Sequence, residues 1–83
     1  MNAVQIINAA RELLTGLTGL PVDTVSQFKR EGEGWLVEIE MIEMRRIPNS
    51  SDVLATYQIH LDAEGGLVSY QRTQRYYRSQ VKD

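Results

Sequence analysis

Apolar residues recur at three- and four-residue spacing near the start of the chain, at Val4, Ile7, Ala10, Leu14 and Leu17, with Ile6 and Leu13 widening the stripe. That period predicts an amphipathic helix over residues 3–15. Asn2 with Gln5 three residues on forms a capping-box pattern at its start. Gly16 supplies a left-handed stop, before Gly19 and Pro21 forbid continuation. From residue 22 onward the hydrophobic period becomes two, and four strands are expected at about 22–30, 34–46, 52–62 and 66–77.

The connections set the topology. Gly32 and Gly34 interrupt a charged run between the first two strands, and Asp62-Ala63-Glu64-Gly65-Gly66 separates the last two, so both read as short hairpins. Pro48 and the Asn/Ser/Ser/Asp run after it supply the middle reversal. In the second strand Trp35, Val37, Ile39 and Met41 share one face, with Glu38 and Glu40 opposite. In the third, Val53, Ala55, Tyr57, Ile59 and Leu61 oppose Thr56, Gln58 and His60. A sheet with one apolar side must bury it, and a single helix is available. The expected fold is therefore α+β, one amino-terminal helix packed on a four-stranded antiparallel meander in two layers. Trp35 leads the core series and is expected to lie buried beneath the helix. Continued alternation would place Glu43 and Arg45 on the face of Trp35, whereas a bulge near Ile42 or Glu43 would return Ile42 and Met44 to the core.

The 83 residues are expected to form one domain over 1–83, burying about 60 to 65% of the unfolded surface. With no cysteine, disulfides, thiolate metal sites and cysteine nucleophiles are excluded. No apolar run approaches the ~18 residues of a membrane span, and the amino terminus lacks a signal-peptide pattern, so a soluble cytoplasmic protein is expected. The net charge of −2 argues against a general polyanion binder. Its distribution is uneven: residues 1–44 carry three basic and seven acidic side chains, residues 45–83 six basic and four acidic. Pairing across strands can neutralise the two halves internally.

Candidate chemistry is sparse. His60 is the single histidine, expected on the outer face opposite Glu40. With no nucleophile or third orienting group, a solvated cross-strand pair outweighs acid/base catalysis. One histidine with scattered carboxylates has no metal-ligand spacing. The glycine pairs do not link a strand to a helix as phosphate loops do, so no cofactor is expected. Arginine interleaved with tyrosine from Tyr70 to Arg78 resembles a stacking platform for single-stranded nucleic acid. Glu38, Glu40 and Glu43 on nearby strands would repel phosphate. Arg46, Arg72 and Arg75 can instead reach Glu38, Glu40, Glu43 or Asp52, and exposed pairs of that kind stabilise by only ~0 to 1 kcal/mol each. Arginine and tyrosine are also enriched at protein interfaces. The outer sheet face, with Arg46, Tyr70, Arg72, Arg75 and Tyr76, is thus the expected contact surface.

A larger pattern runs through the chain: Leu17-Thr18-Gly19, Gly34-Trp35, Val37-Glu38, Glu43 through Pro48, Asp52 through Tyr57, Leu61-Asp62, Gly66 and Tyr70 to Arg78. It resembles the gas vesicle protein O family over about residues 16–82. It departs from the family at Met41-Ile42-Glu43-Met44, where a valine-rich strand is more usual. The resemblance implies a nonenzymatic accessory protein of gas vesicle assembly, cytoplasmic and gas vesicle-associated. Implied partners are the small hydrophobic shell protein and other assembly factors, including the vesicle-associated ATPase. It also marks Trp35, Pro48, Asp52, Tyr57 and Gly66 as framework positions. The alternative is a single-stranded nucleic-acid-binding module using the Arg/Tyr surface. A small hydrolase or isomerase would need a polar cavity between helix and sheet.

Overall fold

The computed structural model describes residues 2–79, so residues 80–82 at the end of the resemblance lie outside the described residues. Helix α1 (Ala3–Thr18) begins with the capping box: the Asn2 side chain accepts the Gln5 N–H at 2.9 Å, and the Gln5 side chain accepts the Asn2 N–H at 2.9 Å. It ends at Gly19 rather than at Gly16. Gly19 takes the left-handed conformation (φ 74°) and donates its N–H to Thr15 at 2.9 Å. A helical Gly16 costs about 1 kcal/mol relative to alanine. The added turn gains support from the Thr18 hydroxyl, which donates to the Leu14 carbonyl at 2.6 Å.

Strands β1 (Val22–Glu31), β2 (Gly34–Met44), β3 (Val53–Leu61) and β4 (Leu67–Tyr77) follow, in sheet order β1-β2-β3-β4 with every pairing antiparallel. The architecture is the expected α+β arrangement, with α1 packed on β1, β2 and β3. Its contact stripe is narrower and rotated: Ile6, Ala10 and Leu14 are fully buried, whereas Val4 is 66% and Leu17 44% exposed. Spacing of four keeps Ile6, Ala10 and Leu14 in one row along the helix, facing Val37, Ile39 and Met41 of β2 and Ile59 and Leu61 of β3.

Trp35 is not buried beneath this row. It sits half-buried at the margin of the core, stacked on Phe28 with ring centroids 5.2 Å apart and capped by the Arg30 guanidinium at 4.6 Å. Its place at the hairpin end of β2, paired with Arg30, puts it beyond the helix row. The bulge is at Glu43, between the pairs Ile42↔Leu54 and Met44↔Val53. Its effect differs from the expected one. Ile42 is buried on the sheet face away from the helix, in register with Leu54, and Met44 is exposed.

Candidate interaction surface at the strand ends

Directly opposed residues of an antiparallel sheet share a face. Tyr70, Arg72 and Arg75 oppose Ile59, Tyr57 and Ala55, so they lie on the helix side, while Tyr76 opposes Leu54 on the far side. The expected surface on one outer face is therefore divided between two faces. An irregularity in β4 decides which residues fall where: Thr56 pairs with Gln74 and Tyr57 with Arg72, which leaves Thr73 as an extra residue, so Arg75 joins Arg72 on the helix side and Tyr76 falls on the other.

The helix-side arginines converge on the bulge. Arg72 Nη1 lies 3.1 Å from Glu43 Oε2 and Arg75 Nε lies 2.7 Å from Oε1. The Glu43 side chain is only 17% exposed, so the two guanidinia neutralise a carboxylate that the bulge has turned into the sheet margin. Tyr57 packs beside them against the core.

The connection after β2 is held by Asp52, which is buried. Asp52 Oδ1 accepts the Arg46 N–H at 2.7 Å, and Oδ2 accepts Arg78 Nε at 3.3 Å. A 3-10 turn (Asn49–Ser51) follows Pro48, whose peptide bond to Ile47 is cis. The Arg78 N–H donates to the Asp52 carbonyl at 2.8 Å, tying the loop to the end of β4. Arg78 also reaches Asp23 at 3.1 Å, and that hydrogen bond first of all holds its guanidinium above its ordinary range. Sequence reasoning did not single out Arg78, whose partners lie 26 and 55 residues away along the chain. At the opposite end, Gly66 closes the β3–β4 hairpin by donating its N–H to Asp62 Oδ1 at 2.7 Å.

Glu40 occupies the far face, yet it is only 3% exposed. Three hydroxyls close over it: Ser26 from β1 at 2.6 Å, Thr56 from β3 at 2.6 Å and Tyr76 from β4 at 2.7 Å. Desolvation, followed by the hydrogen bond to Glu40 and its charge, pushes the Tyr76 phenol well above its ordinary pKa. Of the five expected surface residues, Arg46, Arg75 and Tyr76 line one open cleft of about 410 Å³ together with Val53 and Tyr77. Tyr70 and Arg72 do not line it. Among the described residues, the guanidinia of Arg45 and Arg46 make no ion pair, and Ile47 beside them is fully exposed.

His60 does not oppose Glu40. It opposes Leu36, and its Nδ1 lies 2.8 Å from Glu31 Oε1 in an exposed pair. Glu40 opposes Thr56, so the two groups considered for acid/base work are separated. Among the described residues no group of three His, Cys, Asp or Glu gathers to hold a metal, and no helix is long and apolar enough to cross a membrane.

The family model described as gas vesicle synthesis protein GvpO matches residues 1–82. A gas vesicle protein O of Streptomyces sp. (strain CB03234) is 37% identical over 75 residues, covering 90% of this chain and 59% of the relative. One from Haloferax mediterranei is 35% identical over 52 residues, covering 63% of this chain and 37% of the relative. Gas vesicle protein O1 of Halobacterium salinarum is 28% identical, covering 99% of this chain and 71% of the relative. The chain thus spans less than two thirds of the Streptomyces and Haloferax proteins. No solved structure matches it.

Proposed function

The chain belongs to the gas vesicle synthesis protein GvpO family, and from that premise we propose that it is a nonenzymatic accessory factor acting in gas vesicle assembly by protein contact. Its proposed partners are the hydrophobic shell protein and other assembly factors, the vesicle-associated ATPase among them, in the cytoplasm. The observation that carries the contact surface is the cleft at the β2–β3 end, where the Arg46 guanidinium, without an ion pair among the described residues, stands beside Val53, Arg75, Tyr76 and Tyr77. Arginine and tyrosine around a recess with an apolar wall suit a protein partner. A single-stranded nucleic-acid platform is less well supported, because Arg72 and Arg75 are both engaged by Glu43 while Tyr76 donates to Glu40.

The test is capture of co-expressed assembly proteins by tagged Arg46→Glu, alongside vesicle yield measured by flotation. The substitution should leave circular dichroism unchanged and reduce capture about tenfold or more, as truncation of an interface arginine does. Undiminished capture and vesicle yield by the folded variant would remove the cleft from the mechanism. A labelled single-stranded oligonucleotide, titrated at low and high salt, tests the competing reading through its steep salt dependence.

A further inference from the structure

The meander places both hairpins at one end of the strands and the β2–β3 loop at the other. At the loop end, the nearby carboxylates are already engaged: Glu43 with Arg72 and Arg75, and Asp23 and Asp52 with Arg78. Among the described residues Arg45 and Arg46 remain as surplus positive charge directly preceding a fully exposed Ile47, and the hydrogen bond from Arg46 N–H to buried Asp52 fixes the loop that carries them. The hairpin end is the converse. His60 is engaged with Glu31, and Asp62 accepts N–H groups of its own turn, whereas Glu33 and Glu64 make no ion pair among the described residues. Both carboxylates rim a cleft of about 370 Å³ whose walls include Trp35, Leu61 and Val68, and Val68 is itself largely exposed. Arg30, the cation close by, lies over the Trp35 ring.

We propose that this chain associates head to tail with a second copy of itself, Ile47 of one copy entering the hairpin-end cleft of the next while Arg45 and Arg46 meet Glu33 and Glu64. An exposed apolar knob that directly follows two cations in the chain is complementary to an apolar-walled recess rimmed by two anions, and both are built on hydrogen-bonded turns. The donor and acceptor surfaces lie at opposite ends of strands up to 11 residues long, in a molecule 41 Å in its longest dimension. Such a heterologous contact does not close on itself in a dimer, so further copies add in a row or ring. The self-association shares Arg46 with the proposed contact with assembly proteins, but it requires only the purified chain.

Sedimentation velocity and light scattering of the purified chain across a concentration series test it. At about 50 mM salt the weight-average mass should rise with concentration past that of two copies, and about 500 mM salt should return it toward that of one, because exposed charge pairs are screened. Arg45→Glu with Arg46→Glu should abolish the growth, as should Glu33→Arg with Glu64→Arg. Mixing the two double variants should restore it, since each then presents the charge that the other lacks. Ile47→Asp, with the charges intact, should weaken association without changing circular dichroism. A wild-type chain that stays monomeric at low salt, or folded double variants that fail to associate when mixed, overturns the proposal. The Glu33→Arg, Glu64→Arg variant retains the loop-end cleft, so capture of assembly proteins by this variant separates loss of self-association from loss of partner contact.

Discussion

Asp52 joins three parts of the molecule through one residue: the end of β2 through the Arg46 N–H, the 3-10 turn through its own N–H to Asn49, and the end of β4 through Arg78. Replacing it by alanine leaves the partly buried Arg46 N–H without its acceptor and should lower stability by about 1 to 3 kcal/mol in urea unfolding. A parent-like midpoint would show that the loop is held by its backbone alone. Tyr76 offers a titration. Its proton is held more tightly in the folded chain than in the unfolded one, where the ordinary value is near 10. The corresponding stabilisation is complete below about pH 10 and is lost as pH rises through the higher folded value. Phenolate absorbance of Tyr76→Phe should match the parent up to alkaline unfolding and fall one tyrosine short beyond it; a deficit while the fold persists would contradict the buried hydrogen bond. The sequence made Asp52 visible as part of a pattern, but neither its burial nor the three hydroxyls around Glu40 could be read there. Ser26, Thr56 and Tyr76 lie 14, 16 and 36 residues from Glu40 and meet it only through strand register.

Periodicity was a good guide to the elements and a poorer one to how they face. Alternation in β2 and β3 identified Val37, Ile39, Met41, Ile59 and Leu61 as the apolar face because a strand side repeats every second residue. In β4 the extra Thr73 breaks that repeat, so Arg75 joins Arg72 on the helix side, a change that a single strand read by itself does not reveal. The helix raises the same difficulty in another form. Seven apolar residues offered several rows, and only the sheet selects Ile6, Ala10 and Leu14. Leu14→Ala, opening a cavity in that row, should cost about 3 kcal/mol, and Trp35→Ala, at the half-buried margin, about 2 kcal/mol. Denaturant unfolding of the two variants checks the order. Greater loss at Trp35 would place the centre of the core at the hairpin end instead.

At the scale of the whole molecule, charge is sorted into groups that hold the sheet and groups that face outward. Reversal of Arg72 and Arg75 together should lower the melting temperature, because Glu43, largely shielded beside them, would then face two like charges. Reversal of Arg46 should leave melting unchanged, since its guanidinium makes no ion pair among the described residues. Differential scanning fluorimetry distinguishes these outcomes, and a double reversal that melts like the parent would make the Glu43 clamp dispensable. The asymmetry of the sheet has a further, kinetic consequence. Strand β4 is exposed along nearly its whole length and, among the described residues, its backbone pairs only with β3, while α1 lies over the other three strands. Its amides facing β3 should exchange with deuterium through a local opening that leaves β2 protected, and those facing solvent should exchange at once, so the protection pattern along β4 would alternate and slip by one residue at Val68 and again at Thr73.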